Sequence, residues 1–228
     1  MDAEFWHERW QTARIGFHRQ QVNGHLAQVW PTLGLAKPSQ VLVPLCGKSK
    51  DMLWLAELGY EVAGFELSPL AVADFYAEAD FTPTHSRVGP YQCWQAESLK
   101  IYQGDFFQAP KLNQQFDAAY DRAALIALPS SMQVQYVELL AQLLKPGATL
   151  LLVTVQYAPE QQTAPPFSVS APAVQSLFAP YFSVELRART SEGQDNPRVT
   201  SGELSFFDEL CFVLVRNSAA SPEDSRKP

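Results

Sequence analysis

The order in which apolar runs alternate with helical patterns constrains this chain most. An apolar segment at 40–45 leads into a helical pattern from about Lys50 to Leu58, stopped by Gly59. YEVAGFEL follows as a second strand, and Ser68-Pro69 opens the next helix, with serine as N-cap and proline in the first turn. LKIYQGDFF, FDAAYDRAAL and ATLLLVTVQY read as further strands, and 130–144 reads as a helix closed by Lys145-Pro146-Gly147. A short helix in VQSLFAPY precedes two last strands, FSVELRAR and LCFVLVRN. Residues 82–98 read as a polar insertion, so seven strands are expected. The β-α-β-α order, with no long helix between the last two strands, predicts an α/β doubly wound sheet ending in an antiparallel hairpin.

Ligands of open α/β sheets sit beyond the carboxyl ends of the strands. That directs attention to Pro44–Lys48, Glu66, Asp105-Phe106, Asp121-Arg122 and Gln156-Tyr157. The first of these lies in VLVPLCGKSKDM. Its GKS resembles the end of a phosphate-cradling loop, but that pattern needs a glycine five residues before Gly47, where Leu42 stands. Pro44 also lacks the N–H such a cradle uses. Cys46 as a nucleophile would need a base and an orienting group; a small buried thiol is the simpler reading. What is left is a tight strand–loop–helix with one glycine, where backbone approaches a small ligand closely.

Glu66 closes the second strand 19 residues after Gly47, near the offset at which an acid accepts hydrogen bonds from ribose hydroxyls. Gly104-Asp105-Phe106 ends the third, where a carboxylate can accept from an adenine amino group while Phe106 packs on the ring. Taken singly, Glu66 reads equally well as a surface charge, and Asp105 as an ordinary loop residue. Their order, with nothing built to hold a pyrophosphate, points to an adenosine ligand without phosphates, S-adenosylmethionine foremost.

Composition narrows the partners. A net charge of −7 without a dense Lys/Arg cluster argues against nucleic acid or an anionic membrane. Three scattered cysteines, Cys46, Cys93 and Cys211, fit a reducing cytoplasm better than a disulfide framework. No apolar run is long enough to span a bilayer, MDAEFWHERW lacks a signal peptide's apolar core, and no metal-binding spacing stands out. A single domain over 1–216 is expected, with a helical lid at about 4–30 in two pieces broken near Gly16. A flexible tail is expected over 217–228, and nothing in the pattern demands assembly beyond a monomer.

PLCGKSKDMLWLAELGYEVAGFELS, GDFF, YDRAALIALP and PPFSV resemble the signature blocks of the thiopurine S-methyltransferase family, and EFWHERWQTARIGFH is similar to that family's N-terminal helix and lid. The resemblance covers about residues 4–215 and departs at Ala164, where members often have glycine. It implies a Rossmann-like class I methyltransferase fold, with S-adenosylmethionine as donor and S-adenosylhomocysteine as product. The acceptors it implies are aromatic or heterocyclic thiols, with selenium and tellurium compounds as further acceptors of bacterial members. By matching blocks it assigns donor contacts to Trp6, Trp10, Leu45, Glu66, Asp105, Phe106 and Arg122, to which the glycine-loop reading adds Gly47. Phe17 falls to the acceptor.

Methyl transfer from a sulfonium needs alignment and exclusion of water more than a strong base. Trp6 and Trp10 read either as lid or as core anchors. Arg122 reads either as the catalytic group beside the acceptor or donor carboxylate, or as a salt-bridge partner of Asp121. His18 is expected to be a polar contact of the lid, not a base. Other acceptors on the same fold, and a non-catalytic binding module, are the competing readings; intact Leu45, Glu66, Asp105 and Arg122 speak against the module.

Overall fold

The computed structural model describes residues 3–161 and 165–218. Ala164 and the tail beyond residue 218, on which two of the expectations fall, lie outside the described residues. The chain begins with helices α1 (Ala3–Gln11) and α2 (Gly24–Val29) and continues as β1 (Gln40–Val43), α3 (Lys50–Glu57), β2 (Glu61–Glu66) and α4 (Pro69–Glu78). Strands β3 (Thr84–Val88), β4 (Tyr91–Ala96), β5 (Leu99–Gln103) and β6 (Phe116–Arg122) follow. The remainder is α5 (Ser130–Leu143), β7 (Leu144–Gln156), α6 (Ala171–Phe178), β8 (Phe182–Ser191), the short α7 (Pro197–Thr200) and β9 (Asp208–Arg216).

The helix starts lie where the sequence signals them. Ser49 accepts from Asp51 N–H at the head of α3, and Ser68 accepts from Ala71 N–H at the head of α4, with Pro69 in the first turn. One mixed sheet runs β3-β4-β5-β2-β1-β6-β7-β9-β8. Its middle, β5-β2-β1-β6-β7, is parallel; β9 returns antiparallel against β7 and β8 pairs antiparallel with β9, the expected hairpin.

The sheet has nine strands and not seven. The segment read as a polar insertion holds an antiparallel hairpin, β3 and β4, turned at Gly89-Pro90 with Gly89 at φ +56°. β3 escaped detection because every one of its residues is exposed, which leaves no apolar alternation to read. In β4 Tyr91 and Cys93 are buried, but one short alternating strand is a weak signal.

Two apolar layers flank the sheet. Phe65, Phe116, Tyr136, Leu152 and Phe178 pack on one side with α5 and α6; Leu26, Trp30, Met52, Leu55, Phe75 and Tyr76 pack on the other with α2, α3 and α4. Trp30, just after α2, is 1% exposed and meets Tyr60 and Tyr120 edge-on. The second N-terminal piece is thus part of the core, whereas α1 buries only Trp10. Among the described residues no helix is long and apolar enough to cross a membrane, and no group of three or more potential ligand side chains could hold a metal ion.

Candidate active site

The loop after β1 leaves the strand through two residues in the left-handed region, Leu45 at φ +47° and Gly47 at φ +54°. A leucine there is strained, and such strain persists only where the surroundings enforce it. Here the neighbouring strand enforces it: Cys46 N–H donates to the Phe65 carbonyl at 2.9 Å, and Gly47 N–H donates to Glu66 Oε2 at 2.8 Å. Ser68 N–H donates to the other oxygen, Oε1, at 2.7 Å. Glu66 is buried; burial pushes its carboxyl pKa up, while the N–H groups of Ser68, Gly47 and Leu67 pull it back. Burial also pushes the Cys46 thiol well up, so it holds its proton at neutral pH and is no nucleophile.

At the end of β5, Gly104 N–H donates to the Glu66 carbonyl at 2.8 Å, linking the third loop to the second. A Cβ on Gly104 would come within 2.9 Å of the Tyr91 ring. The same tyrosine donates its hydroxyl to the Asp105 carbonyl at 2.8 Å. Asp105 Oδ1 accepts from Phe107 N–H, and Phe106 is buried against Phe65 and Tyr136.

Asp121 and Arg122 end β6 and point to opposite faces, as successive strand residues must. Asp121 is fully buried, accepting from the Tyr136 hydroxyl at 2.7 Å and from the N–H groups of Ala124 and Leu125. Among the described residues Arg122 forms no ion pair with it. Arg122 Nη1 instead donates to the carbonyl of Phe17 at 2.7 Å. The Phe17 ring sits edge-on between Trp6 and Trp10, at 5.8 and 5.5 Å. Trp10 lies so close over the β1 loop that a Cβ on Gly47 would meet its ring at 3.1 Å.

These elements enclose a cleft of about 880 Å³ at the carboxyl end of the parallel strands. Trp6, Trp10, Phe17, Leu45, Gly47, Glu66, Asp105, Phe106 and Arg122 all line it. So do residues the sequence reading did not single out as contacts: Pro165, Pro166, Glu192, Arg198 and Phe207. Several of these come from the connection between β8 and β9. Glu192 there faces Arg19 at 3.6 Å and accepts from Asn196 Nδ2 at 2.7 Å. The available signal was that this connection is far longer than a tight hairpin turn. The donor set fits an adenosyl sulfonium: a buried carboxylate, an adjoining carboxylate beside aromatics, glycines at the closest approaches and room for a second small molecule.

Sheet order and site together define a class I S-adenosylmethionine-dependent methyltransferase. Solved structures share the fold. The chain of 1,6-didemethyltoxoflavin-N1-methyltransferase from Burkholderia thailandensis, crystallised with S-adenosylhomocysteine, has a TM-score of 0.64 at 15% identity, covering 95% of this chain and 87% of that one. A protein studied for conversion of a disulfide bond into a thioacetal group in echinomycin biosynthesis has a TM-score of 0.65 at 20% identity, covering 98% and 97%.

The chain belongs to the thiopurine S-methyltransferase family, whose profile matches residues 1–217. The thiopurine S-methyltransferases of Shewanella baltica and Shewanella loihica are 43% and 42% identical to it, over 95% of this chain and 100% of theirs.

Proposed function

We propose that this methyltransferase methylates the sulfur of aromatic or heterocyclic thiols. The observation that carries the reading is the Arg122–Phe17 bond, which ties a permanent cation to the main chain of a lid residue whose aromatic side chain lines the same cleft. When bound, S-adenosylmethionine supplies a methyl on a sulfonium that departs as a neutral thioether. Glu66 is assigned the ribose hydroxyls, Asp105 and Phe106 the adenine, and the Leu45–Gly47 backbone the approach to the methionine portion. Trp6 and Trp10 cover the donor and keep water out. Phe17 offers its face to the acceptor ring. Arg122 holds the acceptor as its thiolate, which removes the need for a strong general base, because heterocyclic thiols ionise easily.

The test is incubation with methyl-labelled S-adenosylmethionine and a panel of mercaptopurine, an aliphatic thiol, a selenol, a phenol and an amine. Mercaptopurine is expected to be labelled far faster than the aliphatic thiol, phenol or amine. Preferential labelling of the phenol or amine would overturn the thiol assignment, and a dominant selenol would move the acceptor class to selenium.

A further inference from the structure

We propose that Arg9 binds the carboxylate of the donor's methionine tail. Arg9 is on α1, next to Trp10, and lines the cleft. Its guanidinium carbon stands 4.6 Å from the centre of the Phe5 ring. Among the described residues its buried Nε has no hydrogen-bond partner and the side chain forms no ion pair. The Phe5 ring attracts the cation but offers the guanidinium N–H groups no oxygen to bond. With Nε enclosed by protein, the terminal nitrogens of the guanidinium are the donors an anion entering the cleft can meet.

The position of Arg9 selects which part of the donor that anion belongs to. The loops assigned to adenine, ribose and methionine follow β5, β2 and β1, which are neighbours in that order across the sheet. Trp10 rests on Gly47 of the β1 loop, and Arg9, the preceding residue of the same helix, lines the same cleft, which places α1 at the methionine end of this series. Beyond it, on β6, Arg122 already spends one donor on the Phe17 carbonyl. The α-carboxylate is the donor's one anionic group, and a guanidinium fork suits it in a way a point charge does not.

The inference rests on S-adenosylmethionine as donor, and the experiment separates the two. Calorimetry compares S-adenosylhomocysteine with 5′-methylthioadenosine, which keeps the nucleoside and thioether but lacks the amino acid. In Arg9→Met, affinity for S-adenosylhomocysteine is expected to fall about 10- to 100-fold, with 5′-methylthioadenosine unchanged and Arg9→Lys in between. Unchanged binding of 5′-methylthioadenosine also reports an intact fold. Equal losses for both ligands would make Arg9 a brace of the lid and overturn the proposal, as would no loss for S-adenosylhomocysteine. Failure of the unmutated protein to bind S-adenosylhomocysteine would bring down the donor reading itself, visible before any substitution is made.

Discussion

Arg122 and Phe17, 105 residues apart in the chain, are joined by a 2.7 Å hydrogen bond from Nη1 to the main-chain carbonyl. A guanidinium carries five N–H donors, so one bond to the lid leaves the rest of the fork for an anion in the cleft. In the proposed mechanism the same side chain closes the lid and holds the acceptor. Arg122→Ala is expected to lower kcat/KM for an aromatic thiol about 10- to 100-fold, and Arg122→Lys to restore only part. Limited proteolysis at Arg9 or Arg14 should speed up in Arg122→Ala. Unaltered cleavage together with unaltered kinetics would remove Arg122 from both roles.

Gly47 has both a left-handed backbone and an indole 3.1 Å from where its Cβ would be. Gly47→Ala is therefore expected to lower the thermal midpoint by about 2–4 °C, the equivalent of about 1 kcal/mol in a chain of this size. Donor affinity should fall too, because the alanine forces the Trp10 ring to shift on the loop. Adding Trp10→Ala would relieve the collision but not the backbone strain, so the double variant should stay less stable than Trp10→Ala alone. Equal midpoints for those two would show that the left-handed backbone costs nothing.

Burial pushes the Asp121 pKa from 3.8 up to about 6, against the pull of its three hydrogen bonds. Between those values the folded protein keeps the proton and the unfolded chain releases it. The stabilising contribution is complete below the lower value and is lost as pH rises through the upper one. Stability relative to Asp121→Asn should thus decline by about 1–3 kcal/mol from pH 3.5 to 7, measured by denaturant unfolding of both proteins. A difference that stays flat with pH would refute the shifted acid.

His18 has its pKa lowered by partial burial and by the nearby Lys48 ammonium, so its ring is neutral at pH 7. The rate is expected to follow ionisation of the acceptor thiol. His18→Gln should keep the pH profile, and swapping the acceptor for a less acidic thiol should move the rising limb upward. If the limb instead vanished in His18→Gln with donor binding intact, the base-free mechanism would be wrong.

The parts of this fold that announced themselves were those with local signals. Ser49 and Ser68 cap helices where serine should, and β1, β2 and β7 are apolar enough to be read directly. The loops after β1, β2, β5 and β6 could be located because strand ends are fixed by the runs before them. β3 could not, since THSRV faces water along its whole length. The sequence left Arg122 open between a salt bridge with Asp121 and a place beside the acceptor or the donor carboxylate, and did not show its bond to the lid. Strand alternation separates the two neighbours, but only the closed chain brings residue 17 to residue 122. Glu192 and Arg198 were illegible for a related reason: they reach the cleft from a connection with no periodic pattern of its own.

Tyr91 gives the added hairpin a reach beyond its own two strands. Its ring fills the space a side chain at Gly104 would need, and its hydroxyl grips the carbonyl of Asp105. The rim of the sheet, which carries no reacting group, therefore works as a set-screw on the loop assigned to the adenine. A shift in β4 of a few tenths of an ångström would be passed to that loop through a stiff aromatic lever, because Gly104 has no side chain to absorb it. Selectivity for the donor can in this way drift through changes at the sheet's margin while every residue of the cleft stays the same.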